Sequence, residues 1–141
     1  MRHLLCLLIL ITPTAEISSI YAQHTRIRVR AVASYNAHGA MVRVYKMSDP
    51  EEVSGCERFI LVGRVVSVEY DDRREIVNFS LKARNGESRK VNLPKSLYKQ
   101  LPGEAERALP KLLSRGKRIR VVAYGCGVSL GVLEADEIRA W

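Results

Sequence analysis

Residues 59–70 read FILVGRVVSVEY. The first four are apolar without a break, and the second half alternates between apolar and polar positions. An unbroken apolar run suits a strand covered on both faces, and period-two alternation suits a strand with one face in the core. Twelve residues is long against the usual five or six. Gly63 sits near the middle, and a glycine inside a strand often marks a bend. The stretch therefore predicts the long, bent first strand of a small closed barrel, one that pairs with two different neighbours.

The residues that follow supply those neighbours. Asp71-Asp72-Arg73-Arg74 holds no apolar residue and reads as a turn. Residues 75–84 alternate, with Val77, Phe79, Leu81 and Ala83 on one face and Asn78, Ser80, Lys82 and Arg84 on the other. Asn85-Gly86 is a tight-hairpin signal. Residues 88–93 form a third strand with Val91 and Leu93 inward, so the three strands meander. Pro94 closes that strand and opens a change of period. Leucines at helical spacing predict one short helix at 95–101 and another at 107–115, interrupted by Pro102-Gly103 and Pro110. Gly116 ends them. Residues 117–124 read as a strand with Ile119, Val121 and Ala123 inward and Arg118 and Arg120 outward. After Gly125-Cys126-Gly127 and Gly131 comes the last strand, 132–138.

Working outward in the other direction, residues 48–57 are polar and acidic and read as a linker or a short helical turn. In 25–47, Ile27, Val29 and Ala31 alternate with Arg26, Arg28 and Arg30. A second run, Met41, Val42, Val44 and Met47, surrounds Arg43 and Lys46. Two strands are expected, with residues 33–40 between them as a loop. The five basic residues of this segment face no acidic one. They read either as a solvated edge, where charge discourages aggregation, or as an anion-binding arm.

The N-terminus begins Met1-Arg2-His3, continues through the apolar LLCLLILI of residues 4–11, and breaks at Thr12-Pro13. That is the layout of a secretory signal peptide, and eight apolar residues fall short of the ~20 a spanning helix needs. Cleavage after Ala15 or Ala22 fits the small residues there; the second gives a mature start at Gln23. The expected organisation is 1–22 signal peptide, 23–50 basic β extension and 51–141 barrel domain. The formal net charge is +8, unchanged by loss of the leader, which carries one Arg and one Glu. Two cysteines remain, Cys56 and Cys126. An even pair in an oxidising compartment, periplasmic or secreted, reads as one disulfide, the alternative being two free thiols.

The order from residue 59 onward is β-β-β-α-β-β. With FILVGRVVSVEY, the helical insertion after the third strand, and the GKRIRVVAYG and GVLEADEI segments at the end, the chain resembles an OB-fold protein. It is similar to small exported bacterial proteins carrying a tRNA-anticodon-binding-like domain, over about residues 56–139. The resemblance implies a mainly β fold, a five-stranded Greek-key barrel that binds oligonucleotides or oligosaccharides across its second and third strands. In that topology the end of the fourth strand lies beside the start of the first. Cys126 follows the fourth strand and Cys56 precedes the first, so the topology would bring them together.

Chemistry is sparse. His24 and His38 are the histidines beyond the leader, and neither sits in a nucleophile motif. There is no CxxC or HxxxH for zinc, and the glycines near 125–131 lead into a strand rather than a helix, unlike a phosphate loop. Asp71-Asp72 lies in a turn, and Glu134, Asp136 and Glu137 lie on an alternating strand. No catalytic role, metal or cofactor is expected. Single-strand binding by such barrels joins a basic groove to stacking aromatics. The outward face of the second and third strands holds Lys82, Arg84 and Lys90 but no aromatic residue. Nucleic acid is therefore a weaker expectation than another polyanion, such as an envelope polysaccharide or a lipid headgroup. The candidate ligand-binding residues are Arg26, Arg28, Arg30, Lys82, Arg84, Lys90, Arg118 and Arg120. The competing expectation is a structural module that pairs its N-terminal strands with an envelope protein.

Overall fold

The structure is a computed structural model that describes residues 30–47, 54–127 and 132–141. Its strands are β1 (Arg30–Tyr35), β2 (Met41–Met47), β3 (Glu57–Tyr70), β4 (Ile76–Lys82), β5 (Ser88–Asn92), β6 (Arg118–Gly125) and β7 (Leu133–Ala140). Two helices, α1 (Lys95–Gln100) and α2 (Gly103–Leu112), lie between β5 and β6.

The long strand carries the architecture. Its first eight residues, from Glu57 to Arg64, pair antiparallel with β6, and from Arg64 onward it pairs with β4. β4 pairs with β5, β5 runs parallel to the start of β7, and β7 pairs back onto β6. The ring β3-β4-β5-β7-β6 is thus closed, with the strand order of an OB-like Greek-key barrel and the parallel pairing between its third and fifth strands. The β1–β2 hairpin extends it, with β2 hydrogen-bonded to the later part of β7. Closure leaves the barrel strands without the open edges that favour aggregation.

Gly63 sits at the point where β3 passes from one neighbour to the other. A Cβ there would lie 2.6 Å from the Lys82 carbonyl oxygen and 2.9 Å from its carbon, closer than any side chain tolerates. The residue allows the bend because it lets β4 cross against its backbone.

The barrel interior is filled by Val65, Phe79, Leu81, Val91, Ile119, Val121 and Ile138. Leu97, Leu101, Leu109 and Leu113 from the helical insertion join the same core, as do Met41 and Val44 of the extension. The extension is therefore packed on the barrel and shares its core. Tyr98 of α1 is buried, and its hydroxyl accepts the Ile76 N–H at 2.8 Å. The loss of solvation on burial pushes its pKa up to about 12, against a smaller opposing effect of the Ile76 hydrogen bond.

Several local expectations are corrected. Among the described residues the first strand of the extension is Arg30–Tyr35 and so runs past 31 into the expected loop at 33–40; Ala31 and Ala33 pack against the core. Residues 27–29 lie outside the described residues. The second helix spans Gly103–Leu112, starting earlier than the expected 107 and ending before 115. Pro102 at its N-cap has φ −57°, suited to helix entry, and Glu104 and Glu106 in the first turn favour the N-terminal end of the dipole. On β4, Val77 is half-buried while Ile76 is buried, because a register shift places Tyr70 opposite Ile76.

The hairpin at Asn85-Gly86 is also different from the two-residue form. Ala83 bonds Glu87 and Gly86 bonds Ala83, with φ +88° at Gly86 alone, the three-residue turn closed by a left-handed residue. The turn after β3 repeats it, with Asp71 bonded to Glu75 and Arg74 bonded to Asp71. There the left-handed position is held by Arg74, at φ 64°, and the Asp71 carboxylate braces the turn by accepting the N–H groups of Arg73 and Glu75.

Candidate cationic site

β3 and β6 present alternate residues outward, so register alone decides which charges meet. Arg64 is paired with Lys82 on one side and with Arg118 on the other. Lys82, Arg64 and Arg118 therefore form one row across three strands, with paired Cα atoms about 5 Å apart. Trp141 extends the row, its N–H donating to the Arg118 carbonyl at 3.1 Å and its ring centroid 5.9 Å from the Arg118 guanidinium. Two residues along, Arg120 is paired with Arg139, and Arg139 with Arg43. Directly opposed like charges on one sheet face are destabilising, and here two such rows lie side by side.

One carboxylate compensates the Arg43 end of the second row, and another is engaged away from both rows. Glu137 pairs with Arg43 at 2.9 Å and Glu134 with Lys46 at 3.5 Å. Arg43 also lies over the Tyr45 ring, 4.4 Å from its centroid. Among the described residues, Arg64, Lys82, Arg84, Arg118, Arg120 and Arg139 have no ion-pair partner. Arg64 is oriented by a hydrogen bond from Nη1 to the Gly116 carbonyl at 2.9 Å.

A groove of about 550 Å³ opens along the first row. Arg64, Lys82, Arg84 and Arg118 supply its charge, and Val62, Val66 and Ala83 its apolar lining, with Gly63 between. Gly63 thus positions the site as well as the barrel, since its missing side chain lets the end of β4 bring Lys82 and Arg84 against β3.

The structure sorts the sequence candidates. Lys82, Arg84 and Arg118 converge on the groove, and Arg120 stands in the adjoining row. Lys90 does not join them. Its ammonium lies 3.0 Å from Glu69, whose carboxylate also accepts from Asn78 Nδ2 at 2.7 Å. Those bonds, the one from Asn78 foremost and that from Lys90 next, hold Glu69 below the usual carboxylate range. Glu69 and Lys90 close over Asn78, which is buried despite its outward place on β4. The middle of the β4–β5 face, where the OB resemblance places the ligand, is therefore charge-compensated, and the uncompensated cations lie at the Gly63 end. Arg30 begins β1 opposite Met47; Arg26 and Arg28 lie outside the described residues.

Arg64, Arg139 and Trp141 were missed by sequence reasoning. Arg64 lay inside the stretch read for its apolar pattern. Arg139 and Trp141 follow residue 138, where the last strand was expected to end, and the strand runs to Ala140. The phase of alternation on β6 was the available signal, since it sets Arg118 and Arg120 outward.

No cluster of three or more His, Cys, Asp or Glu side chains suited to a metal occurs among the described residues. His38 is exposed in the β1–β2 turn. Comparison of the chain with protein-family profiles, curated proteins and solved structures returned no match.

Proposed function

We propose that this protein is a non-catalytic binding module for a polyanion, held by Arg64, Lys82, Arg84 and Arg118 in the groove beside Gly63, with Arg120 and Arg139 as the adjoining row. The observation that carries the reading is the Lys82–Arg64–Arg118 register. Three cations in neighbouring positions, with no carboxylate among the described residues to relieve them, oppose folding slightly and favour an anion strongly. Guanidinium groups pair bidentately with carboxylate, sulfate and phosphate alike. The signal-peptide layout of residues 1–22 and the Cys56–Cys126 disulfide support an exported setting, as does the resemblance to small exported OB-like proteins. An envelope polyanion then outranks cellular nucleic acid as the ligand.

The test is retention on immobilised heparin. Lys82→Gln with Arg84→Gln is expected to elute at much lower salt than the unaltered protein, while Lys90→Gln changes little because Lys90 is already paired. Equal elution of all three would overturn the assignment of the groove.

A second reading, as a protein-interaction module, is favoured by β1, which among the described residues pairs only with β2 and so offers an edge for strand addition. Capture of an envelope partner that persists at about 0.5 M salt would favour it, since the screening length is then only a few Å.

A further inference from the structure

The groove beside Gly63 does not end at Arg118. On the far side of that residue a second concavity, of about 360 Å³, lies between the β1–β2 turn, the end of α2 and the start of β6. Arg118 lines both. Lys117 and Lys111 add charge to the second, and Met41, Val42 and Ala108 add apolar surface. A third hollow, of about 410 Å³, adjoins it and shares Gly39, Ala108 and Lys111. Arg107 continues the positive side there, and Glu104 ends it.

Neighbouring hollows share lining residues, Arg118 between the first and second and Gly39, Ala108 and Lys111 between the second and third. Positive charge recurs along the whole path, from Arg84 through Lys82, Arg64 and Arg118 and on to Lys117, Lys111 and Arg107. None of these seven has an ion-pair partner among the described residues. Such a path is far longer than a single phosphate or headgroup requires. Its lining is mainly aliphatic and cationic; the groove beside Gly63 has no aromatic lining residue, and the rings along the rest of the path are His38 in the second hollow, Tyr35 in the third and Trp141 beside Arg118. A single-stranded nucleic acid draws much of its affinity from base stacking on aromatic side chains, which this path does not offer along its length. An acidic sugar chain needs no such platforms: its charges meet the guanidinium and ammonium groups, and its ring faces meet the aliphatic surface.

Resting on the polyanion reading above, we infer that the ligand is a linear acidic polysaccharide laid continuously through the three neighbouring hollows, with Arg118 as the junction. The site then has a minimum length, and affinity rises with chain length until the path is filled.

Fluorescence anisotropy of the full chain with labelled heparin oligosaccharides of increasing length, at fixed ~0.1 M salt, tests this. The expected result is a gain of tenfold or more from the shortest to the longest, and loss of most of that gain in Arg107→Gln with Lys111→Gln. These two exposed surface positions lie away from the core, and a thermal melt of the variant checks its fold. A parallel series of oligogalacturonates, which carry carboxylate without sulfate, distinguishes the two sources of negative charge. Affinity that is independent of length beyond the statistical increase in sites, or an unchanged gain in the double variant, overturns the continuous path while leaving the Gly63 groove standing. Absence of binding at every length in both series overturns the polyanion reading itself. Tighter binding of a single-stranded oligonucleotide of equal charge overturns the assignment to polysaccharide.

Discussion

A Cβ on Gly63 would stand 2.6 Å from the carbonyl oxygen of Lys82. The contact is with backbone, so no rotamer change relieves it. Gly63→Ala must push β4 away from β3 at the crossing, and a cost of about 1–3 kcal/mol is expected from such overpacking. Urea denaturation of the variant measures it. The same displacement moves Lys82 and Arg84, so heparin affinity is expected to fall even where the variant remains folded. A variant as stable as the parent would show that the crossing is looser than its geometry states.

The disulfide joins Cys56, just before β3, to Cys126, just after β6, with Cα atoms 4.3 Å apart and a sequence separation of 70. It ties the two strands where their ladder begins, at Glu57 opposite Gly125. Closing a loop of this length in the unfolded chain stabilises by roughly 4 kcal/mol in the chain-entropy account. Cys56→Ser with Cys126→Ser is expected to lose about 2–4 kcal/mol, read as a lower denaturation midpoint. Thiol titration of the oxidised, denatured protein should find neither of these two cysteines free.

The bend at Gly63 and the disulfide were legible in the sequence, because each follows from topology rather than from side-chain detail. A glycine inside a long apolar strand marks a bend, and cysteines flanking the first and fourth strands mark a closure; the contact of Gly63 with the Lys82 backbone came only with the structure. The cationic rows were not legible. Whether Arg64 meets Lys82 or a neighbour depends on register, and the β3–β4 ladder carries irregularities between Val65 and Ser67 and between Glu69 and Tyr70. Counting alternation through such shifts loses the phase. The pairing of Lys90 was hidden for a related reason, since Glu69 reaches it across two strand pairs, 21 positions earlier in the chain. The start of α2 was misplaced because Pro102-Gly103 reads as a break, whereas Pro102 is the residue that caps the helix.

Tyr98 links the helical insertion to the barrel through one hydrogen bond, its hydroxyl accepting the buried Ile76 N–H. Tyr98→Phe leaves that N–H without a partner, at a cost of about 1–3 kcal/mol. The pH dependence follows from the raised pKa of about 12. The unfolded chain releases the phenolic proton near pH 10, before the folded one does. The stabilisation is therefore complete below about pH 10 and is lost as pH rises towards 12. Denaturation midpoints measured across this range should fall more steeply for the parent than for Tyr98→Phe. Parallel slopes would mean that Tyr98 titrates as freely in the folded protein as in the unfolded chain.

Arg120 offers the sharpest separation of binding from stability. It faces Arg139 across the β6–β7 ladder, and neither has a carboxylate partner among the described residues. If the row serves a ligand, its repulsion is a standing cost in the free protein. Arg120→Gln is then expected to raise stability by about 0.2–1 kcal/mol at low salt, and the gain should shrink as added salt screens the pair. Heparin affinity should move the other way, falling in the same variant at the same low salt. Charge that merely keeps the protein soluble predicts no such opposition, because removing it would leave heparin affinity nearly unchanged. Chemical denaturation and heparin titration of one variant, each at two salt concentrations, decide between the two.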